Sequence, residues 1–260
     1  MLVSSLALSI GIYAVGVVRL WRNAGYGRGV RPLEALAFAT GWTALAIALS
    51  PTLDEWSEHW LAAHMVQHEL FMVVAAPLVA VGAPLVGMLW GLPSGLRHPI
   101  VGAVQRTPVA AVWRTITTPA VAFVLYGLAL WIWHVPALYD EAIEHEAVHV
   151  VQHLCFFGTA ALFWWGIAHG RYGRIGHGAA VLYVFATAIH GGALGALLTF
   201  SPHVWYTPYL ARHSVALTPL EDQQLAGLLM WVPGGLVFVA AGLALFAAWL
   251  RESDRRTSFR

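Results

Sequence analysis

The sequence predicts an all-α fold: a polytopic membrane helix bundle of seven transmembrane helices, with the N-terminus outside and the C-terminus cytoplasmic. Three observations predict it. Of the 260 residues, 59% are hydrophobic and 10% charged, against roughly 25% charged in soluble domains. Thirteen of the fourteen arginines fall after alternate apolar stretches, as expected when short arginine-rich loops stay cytoplasmic. One histidine pattern also occurs twice, DEWSEHWLAAHMVQHELF at 54–71 and DEAIEHEAVHVVQHLCFF at 140–157. The duplication marks a parallel internal repeat in which spans 2 and 3 correspond to spans 4 and 5.

The first apolar stretch of spanning length is 2–20, followed by Arg19, Arg22, Arg28 and Arg31. It lacks the basic start and small-residue cleavage site of a signal peptide and reads as a retained first span. Span 2, at 33–50, runs outward into the acidic loop Asp54, Glu55, Glu58 and His59. Span 3, at 61–90, is interrupted by Pro77 and Pro84 and precedes Arg97, Arg106 and Arg114. Span 4, at 119–135, ends in Trp133-His134-Val135-Pro136 and opens the second acidic loop, Asp140, Glu141, Glu144, His145 and Glu146. Span 5, at 147–168, precedes Arg171 and Arg174. Spans 6 and 7, at 179–199 and 225–250, are joined by the longest outer loop, which holds Arg212, Glu221 and Asp222. Arg251, Arg255, Arg256 and Arg260 close the chain. No linker or low-complexity run divides it, so residues 1–260 form a single domain.

Each copy of the repeat places two histidines four apart, His64/His68 and His149/His153, on one face of a helix. Four residues advance about 400° and about 6 Å, so both imidazoles of a pair can reach one ion. Equal depth near the outer interface lets the two pairs face each other across spans 3 and 5. The bland alternative is interfacial histidine bonded to water. Ionisable groups within spans are costly and usually functional, and duplication favours a metal or haem site. Glu69, Met72, His134, His190 and Asp222 are further candidate ligands. Each has an alternative: helix capping for Asp222, a transfer relay or a bond between helices for His190, an interfacial hydrogen bond for His134, core packing for Met72, and for Glu69 a role as partner to a ligating histidine. The residues Asp54, Glu55, Glu58, His59, Asp140, Glu141, Glu144 and His145 read as a cation-collecting rim that acts by field. Gln67 and Gln152 read as bonds to neighbouring helices. His203 and His213 are read as ordinary loop residues, and His98, His169 and His177 receive no role.

The chain has no lysine, which excludes a retinal Schiff base. No P-loop, GxSxG or HExxH motif occurs, and nothing supports nucleic-acid binding. Cys155 is the sole cysteine, so neither an intramolecular disulfide nor a thiolate cluster can form. Glu146-x-x-His149 matches half of a carboxylate di-iron motif, but Trp60 stands where the other copy would need its glutamate.

Several blocks, taken together, resemble the polytopic CtaG-type assembly factors of cytochrome c oxidase. They are HMVQHELFM from His64, WHVPALYDEA from Trp133, the His149-Val-Val-Gln-His153 stretch, His190-Gly-Gly, and DQQLAGLLMW from Asp222, spread over 33–250. The resemblance implies a multi-pass protein of the bacterial plasma membrane, not an enzyme. It implies copper, Cu(I) or Cu(II), bound at the extracytoplasmic side, taken from an extracytoplasmic copper donor and passed to a cytochrome c oxidase subunit. The residues alone leave open a haem- or iron-binding redox protein using the same histidines.

Overall fold

The computed structural model of the chain describes residues 2–106, 108–169, 176–211 and 217–257. Arg171, Arg174, Arg212, His213 and Arg260 lie outside the described residues. Every regular element among those described is helical. Five helices are long and apolar enough to cross a membrane: Ser5–Ala24, Leu61–Val81, Glu146–Ala168, His177–Phe200 and Pro219–Ser253. The number rises to seven if Pro32–Ala48 with Pro51–His59, and Pro108–Ile116 with Pro119–Trp133, each count as one bent span. Leucine, phenylalanine and valine side chains such as Leu8, Leu154, Leu182, Phe185, Leu236 and Leu243 stand exposed on the outer faces. In a bilayer such a surface meets lipid rather than water.

In chain order, α1 is Leu2–Ala24, α2 Pro32–Ala48, α3 Pro51–His59, α4 Leu61–Val81, α5 Pro84–Gly91, α6 Ser94–Arg106 and α7 Pro108–Ile116. Then follow α8 Pro119–Trp133, α9 Pro136–Glu144, α10 Glu146–Ala168, α11 His177–Phe200, α12 Pro208–Ala211 and α13 Pro219–Thr257. Both acidic segments read from the sequence as loops are short helices, α3 and α9. Proline begins each, where its missing N–H costs no helical bond, and Ser50 accepts the Leu53 N–H at 3.3 Å to cap α3. Each short helix meets the next through one extended residue, Trp60 at φ −129°, ψ 120° and His145 at φ −128°, ψ 111°. The chain thus turns sharply and starts a new helix just before each histidine pair.

Helix α4 is the centre of the bundle, with 61% of its apolar window buried against at most 33% for the other long spans. It widens into a π turn over Leu70–Ala75, and Pro77 gives the reason. The Ala76 N–H bonds Phe71 O, five residues back. In that register the Met72 carbonyl would need an N–H from residue 77, and proline has none. Trp164 of α10 supplies the missing donor, Nε1 to Met72 O at 2.9 Å. Helix α4 ends at Gly82 and Ala83, the latter left-handed at φ 48°, so the span expected over 61–90 is two helices. The second, α5, packs on α1, where the Gly16 and Gly87 backbones are too close for a Cβ. Helices α11 and α13 approach equally closely: a Cβ on Gly227 would lie 2.6 Å from Gly195 O. Small residues of this kind are what let membrane helices pack.

Candidate metal centre

The paired histidines of α4 and α10 meet in the core. One nitrogen from each of His64, His149 and His153 lies within 4.8 Å of the other two. Ring centroids are 5.0 Å apart for His64 and His149, and 4.1 Å for His149 and His153. His68 adjoins them, its ring 4.4 Å from His64 and 5.6 Å from His153. His134, following α8, completes the group with its ring 6.0 Å from that of His68. His64, His68 and His134 are buried, and His149 and His153 partly so.

Buried polar atoms are normally hydrogen-bonded, yet here a set of them is not. Nε2 of His64, His134, His149 and His153, and both ring nitrogens of His68, have no partner. The partnered nitrogens show why. His134 Nδ1 lies 2.7 Å from Leu130 O, and a carbonyl only accepts, so the neutral ring carries its proton on Nδ1. Tyr209 OH donates to Ser57 O at 2.8 Å. Having spent its one proton there, the phenol can only accept from His64 Nδ1, 3.2 Å away. Both rings are therefore held with Nε2 deprotonated, the state of a nitrogen that can bind a metal ion. An ion bonded at about 2.0–2.1 Å to imidazole spans at most about 4.2 Å between two donors. The 4.8 Å within which the three nitrogens lie exceeds that span, so an ion held by all three would need them drawn slightly closer.

Asp222 supports the arrangement without joining it. Its Oδ2 accepts the Leu61 N–H at 2.7 Å and its Oδ1 the Ala62 N–H at 3.1 Å, so it caps α4 rather than its own helix α13. The carboxylate fixes the first turn of the histidine-bearing helix, where unpaired N–H groups attract negative charge. Gln67 Nε2 bonds Ala48 O of α2 at 3.0 Å, the neighbouring-helix role expected of it. Tyr139, stacked on Tyr206 at 4.0 Å and 5.2 Å from His64, closes another side. Tyr139 lies in the WHVPALYDEA block, but no motif pointed to Tyr206 or Tyr209, which sit in a segment whose spacing carries no periodic signal.

The other candidates are placed elsewhere. The His190 ring meets Phe123 at 5.7 Å and Tyr126 at 6.0 Å, apart from the histidine group. Glu69 and Met72 border a separate cavity with Met230. Of the rim residues, Asp54, Glu58 and Glu144, with Glu146, line a cavity of about 290 Å³ that ends on His149. The remainder turn aside: His145 pairs with Glu141 at 3.3 Å, His59 Nδ1 contacts Glu55 O at 2.9 Å, and Asp140 accepts the Thr207 N–H at 3.4 Å. Partial burial holds the Asp140 carboxyl above the usual carboxylate range.

These features define a polytopic helical membrane protein built around a buried histidine cluster with an acidic approach. The comparison with protein families makes the assignment specific. The model of the cytochrome c oxidase caa3 assembly factor family, Caa3_CtaG, matches residues 11–252, and the chain belongs to that family. The comparisons with curated proteins and with solved structures found no match.

Proposed function

We propose that the protein is a copper carrier of oxidase assembly: it takes up copper at the outer face through His64, His149 and His153, with His68 and His134 adjoining, and hands it to a cytochrome c oxidase subunit. The observation that carries this reading is the convergence of those three imidazoles, one nitrogen of each lying within 4.8 Å of the other two, with Nε2 of all three unpartnered. The arginine distribution supports an outward-facing site, and the acidic cavity at His149 supports cation entry from that side. Imidazole suits copper, zinc and iron alike; the choice of copper rests on the family's role in assembling a copper-containing oxidase. The protein's task is then binding and transfer, not catalysis. A shell of three nitrogens with His68 and His134 in reserve suits exchange, since ligands can be swapped one at a time as the acceptor approaches. Ring centroids only 4.1–5.9 Å apart favour a compact ion over a haem, whose macrocycle would have to separate them.

The test is metal analysis of protein purified from copper-supplemented cells, wild type beside His64→Ala/His149→Ala/His153→Ala. The expected result is copper in the first and its loss from the histidine centre in the second, with oxidase in the host membrane lacking copper. Unchanged copper content, or a Soret band in the wild-type protein, would overturn the reading.

A further inference from the structure

Consecutive residues of α4 face two different compartments. His68 turns toward α10, its ring 4.5 Å from Phe156. Glu69 turns toward α13, where a Cβ placed on Gly234 would lie 2.6 Å from its Oε2. Glu69 there borders a cavity of about 20 Å³ with Met72, Tyr126, Met230 and the glycine pairs Gly191-Gly192 and Gly234-Gly235. A space of that size holds one water or one ion of similar size. Met72 and Met230 are 3% and 8% exposed. No hydrogen bond or ion pair to the Glu69 carboxylate occurs among the described residues, and the chain has no lysine to pair with it.

We propose that Glu69, Met72 and Met230 form a second site, for a soft monovalent cation such as Cu(I), in the cavity where α4, α8, α11 and α13 meet. Two thioethers match a soft ion. One carboxylate balances its single charge, so the loaded site is neutral in a low-dielectric interior where an unbalanced ion is expensive. Gly234 supplies the space for the carboxylate, because a Cβ there would lie 2.6 Å from Glu69 Oε2. Both sites are lined by residues of α4, which makes this one a second holding point for the same cargo. The inference rests on the reading of the protein as a carrier of a soft metal, and the test separates the two.

Cu(I) is titrated anaerobically against a chromophoric Cu(I) chelator into the protein in lipid nanodiscs. Wild type is compared with Met72→Leu/Met230→Leu, with Glu69→Gln, with Gly234→Ala and with the triple histidine variant. Two ions per chain are expected in wild type and one in each variant, and copper X-ray absorption should show sulfur neighbours in wild type that vanish in the double methionine variant. One ion per wild-type chain with nitrogen and oxygen neighbours only overturns the second site and leaves the histidine centre standing. So does a double methionine variant that still binds two. A histidine variant that keeps both ions overturns the histidine centre instead. Because the absorption comparison uses wild type and a conservative variant, it decides the question even if the histidine variant fails to fold.

Discussion

Replacing Tyr209 by phenylalanine removes one oxygen from a residue that touches no ion, and it should weaken copper binding. In the folded protein that oxygen donates to Ser57 O at 2.8 Å and accepts from His64 Nδ1 at 3.2 Å. Without it, the buried His64 N–H has no acceptor, so the tautomer with the proton on Nε2 is no longer disfavoured. That tautomer turns an N–H, not a lone pair, into the cluster. Loss of such an outer hydrogen bond to a ligating imidazole typically costs 10- to 100-fold in metal affinity, about 1.4–2.8 kcal/mol. Two hydrogen bonds are lost with the hydroxyl, at about 0.5–1.5 kcal/mol net each, so a modest fall in thermal stability accompanies the affinity change. The assay is Cu(I) competition titration of Tyr209→Phe in nanodiscs, beside Tyr206→Phe, whose hydroxyl bonds His134 O rather than a ring nitrogen. An affinity within twofold of wild type for Tyr209→Phe, with helicity intact, would refute the tautomer argument.

Three further outcomes are expected. Asp222→Asn keeps one acceptor for the Leu61 and Ala62 N–H groups but loses the charge; it should lower stability by about 1–2 kcal/mol, read as the denaturation midpoint in mild detergent, while copper stoichiometry stays at the wild-type value. Neutralising Asp54, Glu58, Glu144 and Glu146 together should slow copper uptake by about tenfold or more at low salt, with the difference shrinking as salt rises; stopped-flow loading at two ionic strengths checks this, and equal rates would remove the acidic cavity from the uptake route. Copper affinity of the histidine centre should fall as pH is lowered, because protons compete for the same Nε2 lone pairs; an affinity that does not change with pH across the acidic range, in competition titrations at a series of pH values, would argue against histidine ligation.

The helical membrane class was legible because hydropathy, arginine placement and the four-residue histidine spacing are local properties of the chain. The same locality explains the misreadings. Asp54–Glu58 and Asp140–Glu144 looked like loops because they are acidic, although the prolines at 51 and 136 and the Ser50 cap are helix-start signals. Asp222 was recognisable as a capping residue, but its helix is α4, some 160 positions away. Glu69 directly follows His68, and one residue turns a helix by about 100°, so it leaves the line of the paired histidines. What it points at depends on Gly234 and Met230 of α13, which no spacing reveals. The π turn follows from Pro77, yet only the Trp164 bond to Met72 O shows how the freed carbonyl is satisfied.

By itself the sequence determined that this is a helical membrane protein with two histidine pairs, each pair on one face of its own helix. Tertiary structure alone decided that the pairs meet, that Tyr209 and Leu130 hold two of the rings with Nε2 free, and that Glu69 and Met72 belong to a different compartment. The physical reason is that periodicity fixes the face of a helix a residue occupies, whereas a ligand set depends on which faces are pressed together. Here those contacts are set by an α4 helix widened at a proline and by glycine-lined helices that approach too closely for any side chain between them.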